Sequence, residues 1–421
     1  MQVFNKKINQ EYLAKSIFFI ITSSIFFDYL YSFDFSSGGA SKDFFSTFGA
    51  VQDLKNYNLK NWSNYTKHFP LHYFLLSLIY RLTEFKDNIR LIYIFISLVQ
   101  PILVFLILSR IYDKLNKNIL LIFSSFIYLL PFLRSSVVWA NAHSTALTFF
   151  LLATLFLIIF LENKKFYAMF LSIFFLSCAV YAVQYFAAFF LIFLLKIYLA
   201  FNFLTLLKYF IICIIFSLPG LYFLYNIPIT SALGLSENPF NVLLINLSII
   251  FFYLLFFINK ESINSLFKQI NIEQIFIFII FSILIVSISV FNFDYEFFVG
   301  GGIFYKFSLL FFKSKFIFYI SSFLGLLFIL LIFRSYFING DYKNIFVLLS
   351  ILSCFLAISW SYMIFQKYYE PTLILSLLFF LNTGIFKIIF KNYKNLFILF
   401  SISLVYLFST LLYLNIDLKL I

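Results

Sequence analysis

The chain is 421 residues long, 63% hydrophobic and 11% charged, where a soluble domain carries about 25% charged residues; this excludes a soluble globular protein and, by its apolar content, a disordered one. A formal net charge of +13 suggests nucleic acid, but the 30 basic residues stand singly between apolar runs with no basic stripe, so no nucleic-acid partner is expected. Cys178, Cys213 and Cys354 all lie in apolar runs, which excludes a disulfide scaffold. The composition describes an all-α integral membrane protein, with 1–421 as a single polytopic domain.

A membrane-crossing helix needs about 20 mostly apolar residues. The first such run, Ser16–Tyr31, follows Lys6, Lys7 and Lys15; no small-residue cleavage site follows it, so it reads as an uncleaved helix. A polar segment then fills 32–88, a long first loop of the kind that is usually functional. Inside it, Pro70–Leu82 is apolar but short, which predicts an interfacial helix rather than a span. Later runs at 89–110, 118–135, 143–161, 166–182, 184–201, 204–224, 241–258, 274–292, 315–333, 344–363, 369–389 and 394–414 bring the expectation to about thirteen spans, with 204–421 as a more variable set of C-terminal helices. With the N-terminus placed in the cytoplasm, Lys and Arg fall about three times as often in the inner loops as in the short outer ones, the bias the positive-inside rule predicts. If Pro70–Leu82 spanned, that bias would invert. The polar loops then collect on the outer face of a cytoplasmic (inner) membrane.

Several segments carry chemistry. The first loop holds Asp34, Asp43, Asp53, Glu84 and Asp87 and two of the three histidines, His68 and His72. Residues 134–143 hold Arg134, Asn141 and His143; residues 293–314 hold Asp294, Glu296, Gly300-Gly301-Gly302 and Lys306; residues 364–371 hold Lys367, Tyr368 and Pro371. Taken in order, Ser41-Lys42-Asp43, then Lys67-His68-Phe69-Pro70-Leu71-His72-Tyr73, then Trp139-Ala140-Asn141-Ala142-His143, and late in the chain Lys367-Tyr368-Tyr369-Glu370-Pro371, resemble the C-type (GT-C) membrane glycosyltransferases, near the bacterial relatives of protein O-mannosyltransferases and lipid A aminoarabinose transferases. The resemblance covers roughly the first 200 residues and the late motif. In this sequence Asp43 has no acidic neighbour, and the late motif lacks a second proline.

That resemblance implies inverting transfer of one sugar from a polyprenyl-phosphate donor to a glycan, lipid or protein acceptor, a step in building a cell-envelope glycan. Asp43 would be the base, with Asp53 second. Arg134, Lys306 or Lys367 would meet the donor phosphate, with Tyr368 beside them, and Lys67, His68, His72, Asn141 and His143 would line the acceptor or headgroup side. No fixed cofactor is implied, though a divalent cation is compatible.

Read without the resemblance, each residue has a plainer role. Asp43 could cap a helix over Phe44–Asn56, Arg134 and the lysines could snorkel to the interface, and Gly300–Gly302 could be a turn. His68 and His72 have the i, i+4 spacing of a metal pair, but Pro70 between them predicts a helix start, and no third ligand is evident. Two rival functions remain: a lipid-linked saccharide polymerase or ligase, which usually has a large late outer loop with arginines, and a flippase or other transporter, which needs mid-span charges. The longest late outer loop, 293–314, has no arginine, and the spans are nearly free of mid-span charge, which counts against both.

Overall fold

The computed structural model describes residues 2–36, 39–56, 62–66, 68–226, 236–267, 270–297, 300–360, 363–381 and 385–420, without the side chains of 2–9, 63, 226 and 411–420. All regular structure among the described residues is helical. In chain order the helices are α1 (Gln2–Leu30), α2 (Gly39–Lys55), α3 (Trp62–Tyr65), α4 (Leu71–Thr83), α5 (Lys86–Ser97), α6 (Val99–Ile111), α7 (Lys117–Ser125), α8 (Pro131–Val138), α9 (Ala142–Asn163), α10 (Phe166–Ala182), α11 (Phe189–Ala200) and α12 (Phe203–Asn226). They continue as α13 (Pro239–Leu254), α14 (Lys260–Phe267), α15 (Ile272–Phe291), α16 (Gly302–Phe312), α17 (Phe316–Ile338), α18 (Tyr342–Ile358), α19 (Thr372–Phe380), α20 (Ile385–Ile388) and α21 (Tyr393–Leu420).

By length and composition, 8 helical segments among the described residues can cross a membrane: Gln10–Leu30, Lys86–Ile111, Ala142–Asn163, Phe203–Tyr225, Pro239–Phe257, Ile272–Phe291, Phe316–Ile338 and Tyr393–Thr410. The chain is therefore an all-α, multi-pass membrane protein. The expected straight span 118–135 is broken: α7 runs into a 3-10 turn at Phe126–Leu129, and α8 leaves it at 74°. Pro131 explains the break, because a residue before proline is driven out of the helical region, and Leu130 is extended at φ −83, ψ 122. The expected 369–389 run holds only α19, nine residues long, before a stretch outside the described residues.

The helices form two compact units, residues 1–232 with 392–421, and residues 233–391. In the first, α9 and α10 form the central antiparallel pair, α1 packs on α7, and α21 lies against α7 and α8. One end of this unit carries the Arg110–Glu162 ion pair at 2.7 Å, joining the C-termini of α6 and α9. The opposite end gathers α2, α4, α8 and the start of α9. In the second unit, α13 is buried on all sides, as a helix apolar all round should be, and α17 packs on it closely. A Cβ at Gly325 would stand 2.2 Å from the Leu247 carbonyl oxygen, so only glycine lets the two backbones meet there.

Candidate functional site

The first loop folds because its own side chains start α2. Ser36 Oγ accepts from the Ala40 amide at 2.7 Å, and Asp34 accepts from the Ser41 amide at 2.8 Å, so a hydroxyl and a carboxylate satisfy the first free amides of the helix. This moves the helix start back to Gly39 and places Asp43 inside it rather than at its cap. Asp34 is thereby occupied as a cap. Gly49 admits the Tyr65 ring, which a Cβ would meet at 2.2 Å, and so α3 closes over α2. Pro70 stands at the N-cap of α4, leaving His68 before the helix and His72 within it, as the proline predicts.

Asp43 is half-buried, and its Oδ2 accepts from Asn141 Nδ2 at 3.4 Å. Asn141 is also the N-cap of α9, its Oδ1 accepting from the His143 amide at 3.2 Å. His72 is buried, with Nδ1 2.8 Å from Thr145 Oγ1. Burial, then the neighbouring His68, lower its pKa to about 3, so the ring is neutral. Tyr93 gives its hydrogen to the Asn141 carbonyl, so Thr145 donates to Tyr93, and the ring's one proton sits on Nδ1 and is donated to Thr145. Tyr73, buried on the same helix, is pushed up to about 12 by burial, and the Asp43 carboxylate adds to this; its hydroxyl pairs with Thr66 at 2.9 Å.

On the other flank, the His68 and His143 rings meet edge to face, 5.8 Å between centroids. His68 Nδ1 lies 3.0 Å from Gln184 Oε1, and His143 Nδ1 lies 3.1 Å from the Tyr185 hydroxyl. Gln184 and Tyr185 belong to the 3-10 turn Gln184–Ala188, which is the near-absent joint between the sequence runs 166–182 and 184–201. Sequence reading missed both residues, although a glutamine between two long apolar runs was a visible signal. It also missed Tyr93 and Thr145, whose hydroxyls pair at 2.7 Å behind Asn141.

Five expected site residues therefore come together in the first unit: Asp43, His68, His72, Asn141 and His143. Asp53 does not join them; ten helical residues from Asp43, it points elsewhere, and its Oδ2 is a buried oxygen with no hydrogen-bond partner. Lys67 lies outside the described residues.

Arg134 is turned inward instead of toward a phosphate. It is 5% exposed and ion-paired to Asp28 of α1, with further bonds to Ser24 Oγ (2.9 Å), the Ser24 carbonyl (2.9 Å) and the Tyr128 carbonyl (3.0 Å). Four of its five N–H donors are thus engaged, and Asp28, the only acid in the apolar part of α1, is the partner sequence reading overlooked.

Lys306, Lys367 and Tyr368 belong to the second unit. Lys367 stands over the Phe365 ring at 5.1 Å and Tyr368 is buried, while Lys306 is half-buried on α16. The Gly300–Gly302 turn has positive φ throughout and docks on its own unit: the Gly301 amide donates to the Ile364 carbonyl at 2.9 Å, and the Ile303 amide donates to Gln366 Oε1 at 2.8 Å. It is a turn whose amides are used for docking. Among the described residues there is no group of three or more His, Cys, Asp or Glu that could hold a metal.

Comparison of the chain with protein-family models, with curated proteins and with solved structures gives no match.

Proposed function

We propose that this protein is a GT-C-type membrane glycosyltransferase that moves a sugar from a polyprenyl-phosphate donor to an acceptor hydroxyl with inversion, at the outer face of the cytoplasmic membrane. The observation that carries the reading is Asp43: a half-buried carboxylate that accepts from the Asn141 amide and whose charge is felt by the Tyr73 phenol, at the end of the first unit away from the Arg110–Glu162 pair. An inverting transfer asks for one such base and no covalent nucleophile.

In this reading Asp43 removes the acceptor hydroxyl's proton as that oxygen bonds to the anomeric carbon. The bond from that carbon to the phosphate oxygen breaks, and the polyprenyl phosphate leaves as an anion. Asp43 then gives its proton to water. His68, His143, Gln184 and Tyr185 offer donors and acceptors to sugar hydroxyls. The leaving phosphate calls for a cation or backbone amides, a role Arg134, spent on Asp28, cannot fill. The excess of Lys and Arg in the loops taken as inner favours the orientation this needs, with the N-terminus in the cytoplasm.

The test is turnover. Membranes holding wild type or Asp43→Asn are given a panel of polyprenyl-phosphate sugars with envelope extract as acceptor, and release of polyprenyl phosphate is followed. Loss of a base is expected to slow release by about 10²- to 10⁴-fold at equal protein level. Undiminished release by Asp43→Asn removes Asp43 from the role. No release by wild type with any donor overturns the transferase reading.

A further inference from the structure

Asn141 reaches Asp43 from a turn that other helices grip atom by atom. Arg90 Nε donates to the Val138 carbonyl at 3.1 Å, and the Tyr93 hydroxyl, with Thr145 and His72 hydrogen-bonded in line behind it, donates to the Asn141 carbonyl at 3.0 Å. Trp139, between them, is held by its indole N–H on the Phe33 carbonyl at 3.1 Å and by the Arg90 guanidinium 3.8 Å over its ring. The turn needs this grip. Ala140 sits at φ 44, in the left-handed region that an L-residue with a Cβ keeps only where its surroundings impose it. The cap bond also settles which way the Asn141 amide faces: Oδ1 is taken by the His143 amide, so Nδ2 is the atom aimed at the carboxylate.

We propose that His72, Tyr93 and Arg90 are positioning residues: Tyr93, backed by Thr145 and His72, holds the Asn141 carbonyl and Arg90 holds that of Val138, and together they fix the turn that sets the Asn141 amide on the Asp43 carboxylate. This rests on the reading of Asp43 as the base. None of the three needs to touch substrate, and their influence passes through Asn141.

The experiment uses the full chain in nanodiscs with two arms. The first is steady-state release of polyprenyl phosphate. Asn141→Ser keeps a good helix cap but loses the amide, so kcat should fall about 10- to 100-fold with KM for the donor little changed. Tyr93→Phe, which removes one hydroxyl, should fall in the same direction by less, and Asn141→Ala should add a loss of thermal stability that Asn141→Ser does not show. A changed KM with an unchanged kcat in Asn141→Ser overturns the proposal.

The second arm needs no activity. Amide exchange of residues 140–143 should quicken about tenfold in Tyr93→Phe while the rest of α9 keeps its protection, and carbodiimide coupling at Asp43, read by peptide mass, should quicken in both Tyr93→Phe and Asn141→Ser. Exchange and coupling equal to wild type overturn the clamp even if the enzyme turns over. If wild type releases no phosphate, the transferase reading fails alone, and this second arm decides the clamp.

Discussion

Removing one member of a buried ion pair strands the other charge in an apolar surround, whereas removing both leaves only packing to repair. Asp28 is 2% exposed and Arg134 5% exposed, so Arg134→Met should cost about 3–5 kcal/mol. Asp28→Asn combined with Arg134→Met should recover most of that loss. Thermal unfolding in detergent reads both, and a double variant no better than the single one would show that the pair does not brace α1. His72 has the opposite electrostatic character. Its folded pKa, about 3, lies below the ordinary imidazole value of 6.5, so the unfolded chain binds the proton more readily. Stability from this residue is complete above pH about 6.5 and is lost as pH falls toward 3. The slope is at most about 1.4 kcal/mol per pH unit. His72→Gln should flatten the melting temperature between pH 6.5 and 4.5; an unchanged slope would mean that other groups set the acid limit.

At the scale of elements, helix positions were legible and helix breaks were not. Apolar runs about twenty residues long located α9, α12, α13, α15 and α17 because a span must be apolar throughout. The same rule hid the bend at Leu130, since both arms of the bend are apolar, and Pro131 was its only mark. The site was half legible. Asp43, His68, Asn141 and His143 could be named because polar residues at helix ends are few. Tyr185 and Tyr93 could not, because their partners lie 42 and 48 residues away, a pairing only tertiary packing reveals, and Gln184 was visible as a polar joint but its pairing with His68 was not. Pro219 sits inside α12 without ending it and shows how packing completes what local sequence leaves open. Proline has no N–H to give the ladder there, and the Tyr181 hydroxyl packs beside it, donating to the Phe216 carbonyl and accepting from the Gly220 amide at 3.1 Å. Tyr181→Phe removes this bridge; Gly220 N–H and the Phe216 carbonyl are an i, i+4 pair that can close on each other, so the cost should be only about 0.5–1.5 kcal/mol, read as a lower melting temperature. In the second unit Gly325→Ala should cost about 1–3 kcal/mol by forcing α17 off α13, where an exposed glycine, Gly340, should tolerate the same change better despite its φ of 67.

At the scale of the whole molecule the open quantity is orientation, and unit geometry and charge bias make separate demands on it. The Lys86–Ile111 segment has 26 residues, about 39 Å of helix, more than the about 30 Å of a bilayer core. Ser46 lies in the loop before this segment and Asp113 just after it, both exposed, so they must face opposite sides whichever way the protein inserts. On the proposed orientation, which the lysine bias favours, Asp113 should face the cytoplasm with Lys114 and Lys117, and Ser46 should lie outside with Asp43. Gly340, exposed between Arg334 and Lys343, should share the cytoplasmic side with Asp113. In a background with Cys178, Cys213 and Cys354 replaced, a membrane-impermeant maleimide should label Ser46→Cys in intact cells, and should label Asp113→Cys and Gly340→Cys only after permeabilisation. Ser46 and Asp113 on one side would mean that Lys86–Ile111 does not cross. Both reversed would turn the Asp43 cluster to the cytoplasm, where a nucleotide sugar rather than a polyprenyl-phosphate sugar becomes the natural donor class. Gly340 alone on the outside would mean that one short apolar helix between α9 and α18 fails to cross, which revises the count of spans and leaves the Asp43 end where it is.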